Sequence, residues 1–592
     1  MKEQYKGLRT HFLGELRKSD SGSEATLMGW VAKRRDHGGL IFVDLRDRYG
    51  VTQIVFHPQM SDDGFTIAEK LSAEDVLKIV GVVSERPEGT VNSDLDTGEI
   101  EVNAKSIELL NESETPPFEI RENVEASEDL RLEYRYLDLR RRKMRDAIIT
   151  RHRFYQSVRK FMSDKGFIEI ETPILTKSTP EGARDFLVPS RLSKGKFYAL
   201  PQSPQIYKQI LMVSGFDKYF QIVKAFRDED LRADRQPEHT QVDIEMSFVD
   251  ESHVRQMAEE LMATVFKEVI DHDLPLPFPA MTYDEAMNRF GSDKPDLRFG
   301  VEIRNISEIA GRSDFKLFQD AVSNEGMVGA VIAEAKGTFS RKVIDELVEY
   351  SKIYGLGGLS WAKVEDGKLA GGVSRHFDEN LQSELLGNVG AKDGDVIFFA
   401  ADKTPVALKG LGAIRLEIGR RLNLIDKDTF SPLWVTDFPM FEWDEETKRY
   451  SAMHHPFTSP KMEDIDLLES DPSKVYARAY DMVFNGSELG GGSIRIHSKD
   501  VQSKVFKALG IGADEAERKF GYLLKALSYG APPHGGIALG LDRIVTTMLR
   551  LDSIRDVIAF PKTASGTALM EKTPSEVSEA QLKELGIKLE PK

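Results

Sequence analysis

Apolar and polar positions alternate in short runs along the first hundred residues, a pattern typical of β-strands. In Leu40–Arg46 the alternation puts Ile41, Val43 and Leu45 on one face. Turns rich in Gly, Asp and Pro separate this run from four others, at 25–31, 51–56, 79–84 and 100–104. Several short strands joined by such turns predict a small closed or half-closed barrel over residues 1–108.

Beyond residue 108 the pattern changes several times. Residues 109–130 are acidic and contain Pro116-Pro117, and a hinge is expected over 109–141. Apolar residues at helical spacing from Met144 to Met162 predict a helix that ends at Gly166. Shifts in composition then predict a first part of a larger domain at 142–290, an inserted α+β domain at 291–424, the second part of the larger domain at 425–565, and a polar C-terminal extension at 566–592.

Composition narrows the class of protein. A chain of 592 residues is too long for one compact domain, and 40% hydrophobic with 30% charged residues is an ordinary globular balance. The net charge of −17 argues against a protein that coats nucleic acid through bulk positive charge, although two basic runs, 33–35 and 140–143, allow local recognition. Without cysteine there are no disulfides or thiolate metal sites, and without a signal peptide or membrane-length apolar run we expect a cytoplasmic protein.

Three segments carry most of the chemistry. The segment 226–245 sets alternating acids and arginines between two predicted strands, which suits a nucleotide site because guanidinium groups grip phosphate bidentately. The segment 535–544 is a glycine-rich turn from strand to helix, with Arg543 near the helix start, where phosphate binds favourably. The segment 166–173 combines a helix end, an alternating strand and a proline.

In this order, segments 166–173, 226–245 and 535–544 resemble motifs 1, 2 and 3 of the class II aminoacyl-tRNA synthetases. With the N-terminal barrel as an anticodon-binding OB-fold, and with an insertion like that at 291–424, the resemblance narrows to the bacterial-type aspartyl group. It covers the chain except for the C-terminal tail, and further matching segments are 179–185, 202–208, 453–457 and 490–495. The resemblance implies an antiparallel catalytic sheet of six or seven strands flanked by helices, and a homodimer formed around Pro173.

The implied activity is that of an aspartate-tRNA ligase. In this family L-aspartate attacks the α-phosphorus of ATP, which gives aspartyl-adenylate and pyrophosphate, and aspartate then passes to the 3′ end of tRNA-Asp. Positioning and charge neutralisation do most of the work in such a reaction. The family match gives catalytic roles to Arg227 at the α-phosphate, Arg543 at the γ-phosphate and Glu488, which with Asp481 would hold Mg²⁺, an ion that prefers hard oxygen ligands.

The resemblance also implies the binding sets for both substrates. For ATP the set is Arg227, Asp228, Glu229, Gln236, His239, Glu488, Gly540, Leu541, Asp542 and Arg543. His239 stands where the family usually has a phenylalanine that stacks on adenine, and an imidazole would stack with less area and a titratable proton. For aspartate the set is Glu181, Ser203, Gln205, Lys208, Arg227, Asp243, His454 and Arg495, with Glu181 in a loop that closes over the substrate.

Amino-acid choice can be argued from charge. Lys208 and Arg495 are expected to line the side-chain pocket, where paired cations require an anionic substrate. Lysine would be repelled, and asparagine would leave the charges unpaired. Glutamate is one methylene longer, so the depth of the pocket must exclude it.

Four residues match the anticodon-binding positions of the family, namely Arg35, Phe42, Gln53 and Glu99. The strand pattern alone leaves open whether Phe42 stacks on a base or packs under a loop. His37 and Gly89 stand where relaxed bacterial relatives carry a histidine and a glycine, and these relatives charge both tRNA-Asp and tRNA-Asn. A relaxed specificity is therefore predicted, and a strict tRNA-Asp enzyme remains the alternative.

Other functions are compatible with parts of the sequence. A synthetase for asparagine or lysine would share the three motifs, but Lys208 with Arg495 argues against both. An ATP-dependent amide ligase on the same catalytic fold would act without tRNA, and such proteins generally lack the barrel. A binding or scaffold protein that has lost catalysis would not need Arg227, Glu488 and Arg543.

Overall fold

The computed structural model describes residues 5–60, 62–179, 183–229, 234–334 and 338–590. These residues fold as two compact units, one comprising the chain up to residue 149 with 558–575, and the other comprising 150–557 with the residues from 576 onward. None of the described helices combines the length and apolar character needed to cross a membrane. The bounds of the six predicted segments stay a prediction.

The first unit contains a closed five-stranded barrel. Its strands and its helix are β1 (Glu24–His37), β2 (Leu40–Arg46), β3 (Val51–Phe56), α1 (Asp62–Lys70), β4 (Val76–Glu85) and β5 (Ile100–Asn111). The strand order is β1-β2-β3-β5-β4, and β3 runs parallel to β5. The alternation predicted for β2 is confirmed, since Ile41, Val43 and Leu45 are buried in the barrel core.

Three helices follow the barrel: α2 (Glu128–Glu133), α3 (Arg135–Asp138) and α4 (Arg142–Asp164). The Glu122 carboxylate accepts the Arg142 and Lys143 N–H groups at 2.9 and 3.1 Å, so that it caps the N-terminus of α4. The helix ends as predicted. Gly166 has a φ of 79°, and the Phe167 N–H donates to the Met162 carbonyl at 2.9 Å.

The second unit begins with the strands and helices that carry the first two motifs. These are β6 (Ile168–Glu169), β7 (Leu187–Pro189), β8 (Phe197–Ala199), α5 (Gln205–Val213), β9 (Lys218–Phe226), β10 (Glu238–Ser247), α6 (Glu251–Ile270), β11 (Ala280–Thr282) and α7 (Tyr283–Phe290).

The inserted region then forms its own sheet of mixed α and β structure. Its elements are β12 (Arg304–Asn305), α8 (Ser307–Ala310), α9 (Lys316–Ser323), β13 (Met327–Ala333), α10 (Arg341–Lys352), β14 (Ser360–Glu365), β15 (Lys368–Ala370), α11 (Glu379–Val389), β16 (Val396–Asp402) and α12 (Thr404–Arg421). The strand order is β12-β13-β16-β14-β15, and two apolar clusters pack against the sheet.

The remaining elements return to the larger sheet. They are β17 (Pro432–Thr436), β18 (Phe441–Asp444), β19 (Arg449–Ala452), α13 (Leu467–Ser470), β20 (Ala479–Phe484), β21 (Ser487–Ile494), α14 (Lys499–Ala508), α15 (Ala513–Leu527), β22 (His534–Gly540), α16 (Leu541–Met548) and α17 (Glu579–Leu585). Short 3₁₀ turns lie at 18–20, 374–376, 462–464, 472–474 and 554–557.

The larger sheet has eight strands within the described residues, in the order β11-β17-β20-β21-β22-β10-β9-β6. The antiparallel sheet predicted from the family resemblance is present across the six central strands. The predicted count of six or seven strands is too low, because β6 and β11 add to the two edges by parallel pairing. Each of these edge strands has only two or three residues, too few to show a period-two pattern.

Glycines in the central strands leave room for side chains of the neighbouring strands. A β-carbon on Gly536 of β22 would overlap the Ile244 carbonyl and the Glu245 carboxylate of β10. A β-carbon on Gly491 of β21 would lie 2.6 Å from Asp481 Oδ1 of β20. The glycine-rich segments therefore make room for buried carboxylates between neighbouring strands.

Candidate active site

A cavity of about 540 Å³ opens on the face of the large sheet. Its lining comes from β10, β20, β21 and β22, from α5 and α16, and from the loops beside them. Most of the predicted substrate-binding residues line it: Ser203, Gln205, Lys208, Arg227, Glu229, Gln236, His239, Asp243, His454, Asp481, Glu488, Arg495, Gly540, Asp542 and Arg543. Glu181 lies outside the described residues.

A network of four buried charges forms one end of the cavity. Lys208 Nζ lies 2.7 Å from Asp243 Oδ1 and 3.3 Å from Glu245 Oε2. Arg495 meets the same Glu245 with two nitrogens, Nε at 2.9 Å from Oε1 and Nη2 at 3.2 Å from Oε2. Relative exposure is 1% for Lys208, 5% for Arg495 and 0% for Glu245. Glu245 thus holds the two predicted specificity cations together.

This network corrects the charge argument made from the sequence. That argument treated Lys208 and Arg495 as cations awaiting an anionic substrate, whereas each already faces a carboxylate. Burial raises the pKa of Asp243, although Lys208 opposes the shift. Burial acts in the same direction on Glu245, but Arg495 and Lys208 outweigh it and lower the pKa of that carboxyl. Lys208 and Arg495 are therefore donors held in fixed positions, and neither is an unpaired charge.

Glu245 was missed by sequence reasoning, although the sequence carries a signal for it. In strand β10 the residues Gln241, Asp243 and Glu245 alternate with apolar neighbours, so all three share one face. Gln241 Nε2 donates to Asp243 Oδ2 at 3.1 Å, and Lys208 joins Asp243 to Glu245. A polar row on a central strand must be hydrogen-bonded internally or to a ligand, and this requirement points to Glu245.

The other residues predicted to bind the substrate aspartate lie around this network. Ser203 and Gln205 line the cavity at the start of α5, where Ser203 Oγ accepts the Gln205 N–H at 3.2 Å. The His454 ring lies edge-on to Phe438, with Nε2 at 3.4 Å from Asp481 Oδ1. Burial alone would lower the pKa of His454, but the charge and hydrogen bond of Asp481 outweigh it and raise that pKa. At this end, therefore, His454 is held against the Asp481 carboxylate.

Two arginines mark the opposite end of the cavity. Arg227 follows strand β9, and its N–H donates to the Pro237 carbonyl at 2.9 Å. Among the described residues, no carboxylate oxygen lies within 4.0 Å of its guanidinium. Arg543 lies in the first turn of α16, where Nη1 donates to the Glu488 carbonyl at 3.0 Å and Nη2 to Asp234 Oδ2 at 3.3 Å. Among the described residues, Arg543 thus has a carboxylate partner and Arg227, the arginine predicted at the α-phosphate, has none.

The residues predicted around adenine differ in what they can offer. His239 lies in β10, and burial, with help from the Arg227 charge, lowers its pKa to about 4, so the ring is neutral at neutral pH. Glu229 accepts Arg235 Nη1 at 2.9 Å at the rim. Asp228 is held through its N–H, which donates to the Arg184 carbonyl at 3.1 Å. A neutral ring and anchored rim residues are compatible with a base-binding site.

Asp542 and Leu541 are held by contacts within the protein. Both Asp542 carboxylate oxygens are engaged, one by Arg151 Nη1 and the other by the Thr240 N–H at 2.9 Å. Leu541 is fully buried in the core. These contacts tie α16 to α4 and β10, so the two residues fix the position of Arg543.

Asp481 and Glu488 lie on neighbouring strands, β20 and β21, and both line the cavity. Burial raises the pKa of Glu488, and the Asp481 charge adds to the effect. The described residues contain no group of three or more His, Asp or Glu side chains placed to hold a metal by themselves. A pair of close, mutually repelling carboxylates nevertheless suits a cation whose other ligands come from phosphate and water.

In the first unit two of the four predicted anticodon residues, Arg35 and Gln53, belong to a polar network on the barrel. Arg35 of β1 lies opposite Phe42 of β2, and its Nη2 donates to Asp44 Oδ1 at 2.6 Å and Gln53 Oε1 at 3.3 Å. Gln53 Nε2 in turn donates to Glu101 Oε2 at 3.0 Å. Sequence reasoning missed Glu101, although it occupies an alternate position in β5.

The remaining predicted tRNA residues lie on the surface of the barrel unit. Phe42 is half-buried on the face that carries Asp44. Glu99 is exposed, and its carbonyl accepts the Arg86 N–H at 2.9 Å. His37 at the end of β1 and Gly89, with a φ of 82°, are both exposed. These positions are accessible to a large ligand.

Comparison with known proteins agrees with this geometry. The family model described as tRNA synthetases class II (D, K and N) matches residues 127–564, and that of an OB-fold nucleic acid binding domain matches residues 25–110. Two solved structures share the fold. The asparaginyl-tRNA synthetase from Pyrococcus horikoshii with asparaginyl-adenylate has a TM-score of 0.59 at 19% identity, over 93% of this chain and 98% of that one. The aspartyl tRNA synthetase from Entamoeba histolytica has a TM-score of 0.57 at 18% identity, over 93% and 90%.

Curated relatives are much more similar in sequence. The aspartate–tRNA ligase of Staphylococcus saprophyticus is 54% identical over 98% of this chain and 99% of its own length. The aspartate–tRNA(Asp/Asn) ligase of Caldanaerobacter subterraneus subsp. tengcongensis is 54% identical over 100% of both chains. The chain therefore belongs to the class II tRNA synthetases of the D, K and N group and, within that group, to the aspartate–tRNA ligase family.

Proposed function

We propose that this chain activates L-aspartate with ATP, giving aspartyl-adenylate and pyrophosphate, and transfers aspartate to the 3′ end of tRNA-Asp and of tRNA-Asn. The observation that carries the proposal is the cavity itself, with a buried network of ion pairs at one end and two arginines at the other. The 54% identity to aspartate–tRNA ligases over the whole chain supports the same activity.

In the activation step, the Arg227 guanidinium neutralises the α-phosphate as the aspartate carboxylate attacks phosphorus. Its lack of a carboxylate partner among the described residues supports this role, because a phosphate would be its first strong partner. Arg543 binds the γ-phosphate at the start of α16, where backbone N–H groups also favour an anion. The pyrophosphate then leaves beside Arg543.

The rest of the ATP molecule is held by the residues around β10. The neutral His239 ring stacks on adenine, in the role that an aromatic ring has in the family. Asp228, Glu229 and Gln236 contact the base and ribose from the rim. Leu541 and Asp542 act indirectly, by fixing the turn that presents Gly540 and Arg543.

Asp481 and Glu488 would hold Mg²⁺ together with ATP oxygens. When bound, the ion would supply positive charge to the phosphate groups. The two carboxylates fit this role because their mutual repulsion, seen in the raised pKa of Glu488, is relieved by a cation. Magnesium needs only one or two protein carboxylates when phosphates and water complete its shell.

Aspartate binds at the network end, with its side-chain carboxylate on Lys208 and Arg495. Both groups are hydrogen-bond donors only, so they accept nothing from the amide NH₂ of asparagine. Glu245 keeps the two donors in fixed positions, so that discrimination between aspartate and asparagine does not depend on unpaired cations. Asp243, Ser203 and Gln205, with Glu181 and His454, hold the α-ammonium and close the site.

For tRNA, we assign anticodon contacts to Arg35, Phe42, Gln53 and Glu99, and the relaxed choice to His37 and Gly89. The identity to a relative named as an Asp/Asn ligase supports the relaxed choice. A strict tRNA-Asp enzyme remains the second candidate, because an equally identical relative is named simply as an aspartate ligase. An amide ligase without tRNA is disfavoured by the barrel.

We also propose that the enzyme is a cytoplasmic homodimer. The motif 1 segment exposes Ile168, Ile174 and Leu175, each about half accessible. Three exposed apolar side chains within eight consecutive residues suit a subunit interface. The mass of the native species by light scattering tests this assignment.

The decisive test is charging of purified tRNA-Asp and tRNA-Asn with labelled aspartate at matched concentrations. Comparable charging of both supports the relaxed enzyme, and charging of tRNA-Asp alone supports the strict one. If neither tRNA is charged, the proposed function is wrong.

A further inference from the structure

The loop at 291–301 lies between α7 and β12 and packs against two other elements. On one side it meets helix α12, where a β-carbon on Gly412 would lie 2.7 Å from the Gly291 carbonyl oxygen. On the other side it meets the turn between β20 and β21, where a β-carbon on Gly486 would lie 3.1 Å from Asp296 Cβ. That turn connects the two strands that carry Asp481 and Glu488. The loop therefore bridges the inserted region and the carboxylate pair.

One buried arginine of the inserted region holds this loop. Arg415 of α12 is 1% exposed, and its Nη2 donates to the carbonyls of Asp296 at 2.7 Å and Phe299 at 3.1 Å. Its Nε donates to the Val301 carbonyl, and its guanidinium lies 4.0 Å from the centre of the Phe299 ring. Burial lowers the pKa of Arg415 to about 10, so it stays charged at neutral pH. A buried cation that donates its hydrogen bonds to loop carbonyls fixes the backbone of that loop.

The loop presents two charged side chains near the pair of carboxylates, Asp481 and Glu488. Asp293 lines the cavity together with His454, Glu488 and Arg543. The next residue, Lys294, is exposed, and its N–H donates to Ser292 Oγ at 3.2 Å. The Lys294 ammonium is close enough for its charge to act on Glu488. An exposed ammonium whose charge reaches Glu488, the residue whose carbonyl accepts Arg543, can meet a polyphosphate directly.

We propose that Lys294 binds the pyrophosphate part of ATP, and that Arg415 is a positioning residue that holds Lys294 there. Helix α12 then contributes to activation through Arg415 without touching the substrate itself. This inference rests on the proposed function, since it names a further contact for the same ATP. Lys294 acts as a mobile point charge, whereas Arg415 acts only through the loop backbone.

The experiment is aspartate-dependent exchange of labelled pyrophosphate into ATP, with the full-length chain. For K294A we expect the KM for ATP to rise about tenfold, the size of one lost charge-assisted contact. The KM for aspartate should change by less than about twofold, because the network end is untouched. K294R should restore most of the ATP affinity. The control is K342A, which removes an exposed lysine of the inserted region on α10 and should leave both constants unchanged.

Arg415 is tested by coupling. R415M should raise the KM for ATP at least as much as K294A, and the double variant K294A/R415M should be no worse than R415M alone. Additive losses would overturn the positioning role of Arg415. If R415M does not fold, R415K replaces it in the same cycle.

The proposal fails if K294A behaves like K342A, or if K294A raises the KM values for aspartate and ATP equally. Absence of any exchange in the unmodified enzyme is a different result, because it refutes the proposed function and not the role of the loop.

Discussion

Arg227 and the two cations at the other end of the cavity differ in how their positive charge is paired. At the aspartate end, Lys208 and Arg495 are buried and already paired with Asp243 and Glu245. At the ATP end, the Arg227 guanidinium lies within 4.0 Å of no carboxylate among the described residues. A paired, buried network is rigid and discriminates by shape, whereas an unpaired arginine gains its partner with the ligand. In the proposed function, this difference separates the residues that select the amino acid from the arginine that neutralises the α-phosphate.

Breaking the network should have the largest effect. E245Q removes the charge that bridges Lys208 and Arg495 and leaves two buried cations with one carboxylate between them. We expect about 3–5 kcal/mol less stability toward unfolding, the usual result of breaking a buried pair. Aspartate activation should be lost as well. Urea denaturation followed by circular dichroism measures the first, and pyrophosphate exchange the second.

The matched control is E379Q, which breaks the exposed pair of Glu379 with Lys368 and should leave both properties unchanged. If E245Q were as stable as the unmodified protein, the network would not be a rigid unit, and the contrast between the two ends would disappear.

Arg227 provides the opposite pattern. R227A should lower kcat for adenylate formation about 10²–10³-fold, as loss of a donor to developing charge does. Stability should change little, because the guanidinium has no carboxylate to abandon among the described residues. Single-turnover adenylate formation and thermal denaturation measure the two quantities on one preparation. A large loss of stability in R227A would show that the arginine is a structural cation like Lys208.

Much of this comparison could be predicted from the sequence, and the missing part has a physical cause. The motifs bring Lys208, Arg227, Arg495 and Arg543 into one cavity because they lie on adjacent strands and helix ends. The pairing through Glu245 was not predicted, since Arg495 and Glu245 are 250 positions apart and charge counting ignores such partners. A polar residue at an alternate position of a central strand could have revealed it.

The same limit applies to the inserted region and to the sheet edges. Arg415 reaches the Asp296 carbonyl across 119 positions, and a backbone acceptor leaves no mark on residue type. The edge strands β6 and β11 pair in parallel through two and three residues, so their register comes from the neighbouring strand and not from their own pattern. Local alternation predicts elements, whereas the contacts between distant elements decide how charges are paired.

His239 gives a smaller effect that sharpens the description of the ATP end. Its folded pKa of about 4 lies below the ordinary value of 6.5, so the unfolded state binds the proton more readily. Its contribution to stability is therefore present above pH 6.5 and is lost as the pH falls toward 4. H239F, which cannot titrate, should lack this part of the acid destabilisation and bind ATP a few-fold tighter through its larger stacking area.

Thermal denaturation of both forms between these pH values measures the first part, and the KM for ATP measures the second. Parallel stability curves for the two proteins would mean that His239 is not held neutral by burial.

The smallest effect is expected in the barrel, where charge is paired but exposed. Arg35 is nearly half exposed while it contacts Asp44, so D44N should change stability by no more than about 1 kcal/mol. It should nevertheless raise the KM for tRNA a few-fold, because a neutral amide holds the Arg35 guanidinium less firmly than the Asp44 carboxylate, which with Gln53 orients it on the face bearing Phe42. Pyrophosphate exchange, which needs no tRNA, should be unchanged. A D44N enzyme impaired in exchange would contradict the assignment of this face to tRNA, and one with unchanged charging would show that Arg35 is oriented by Gln53 alone.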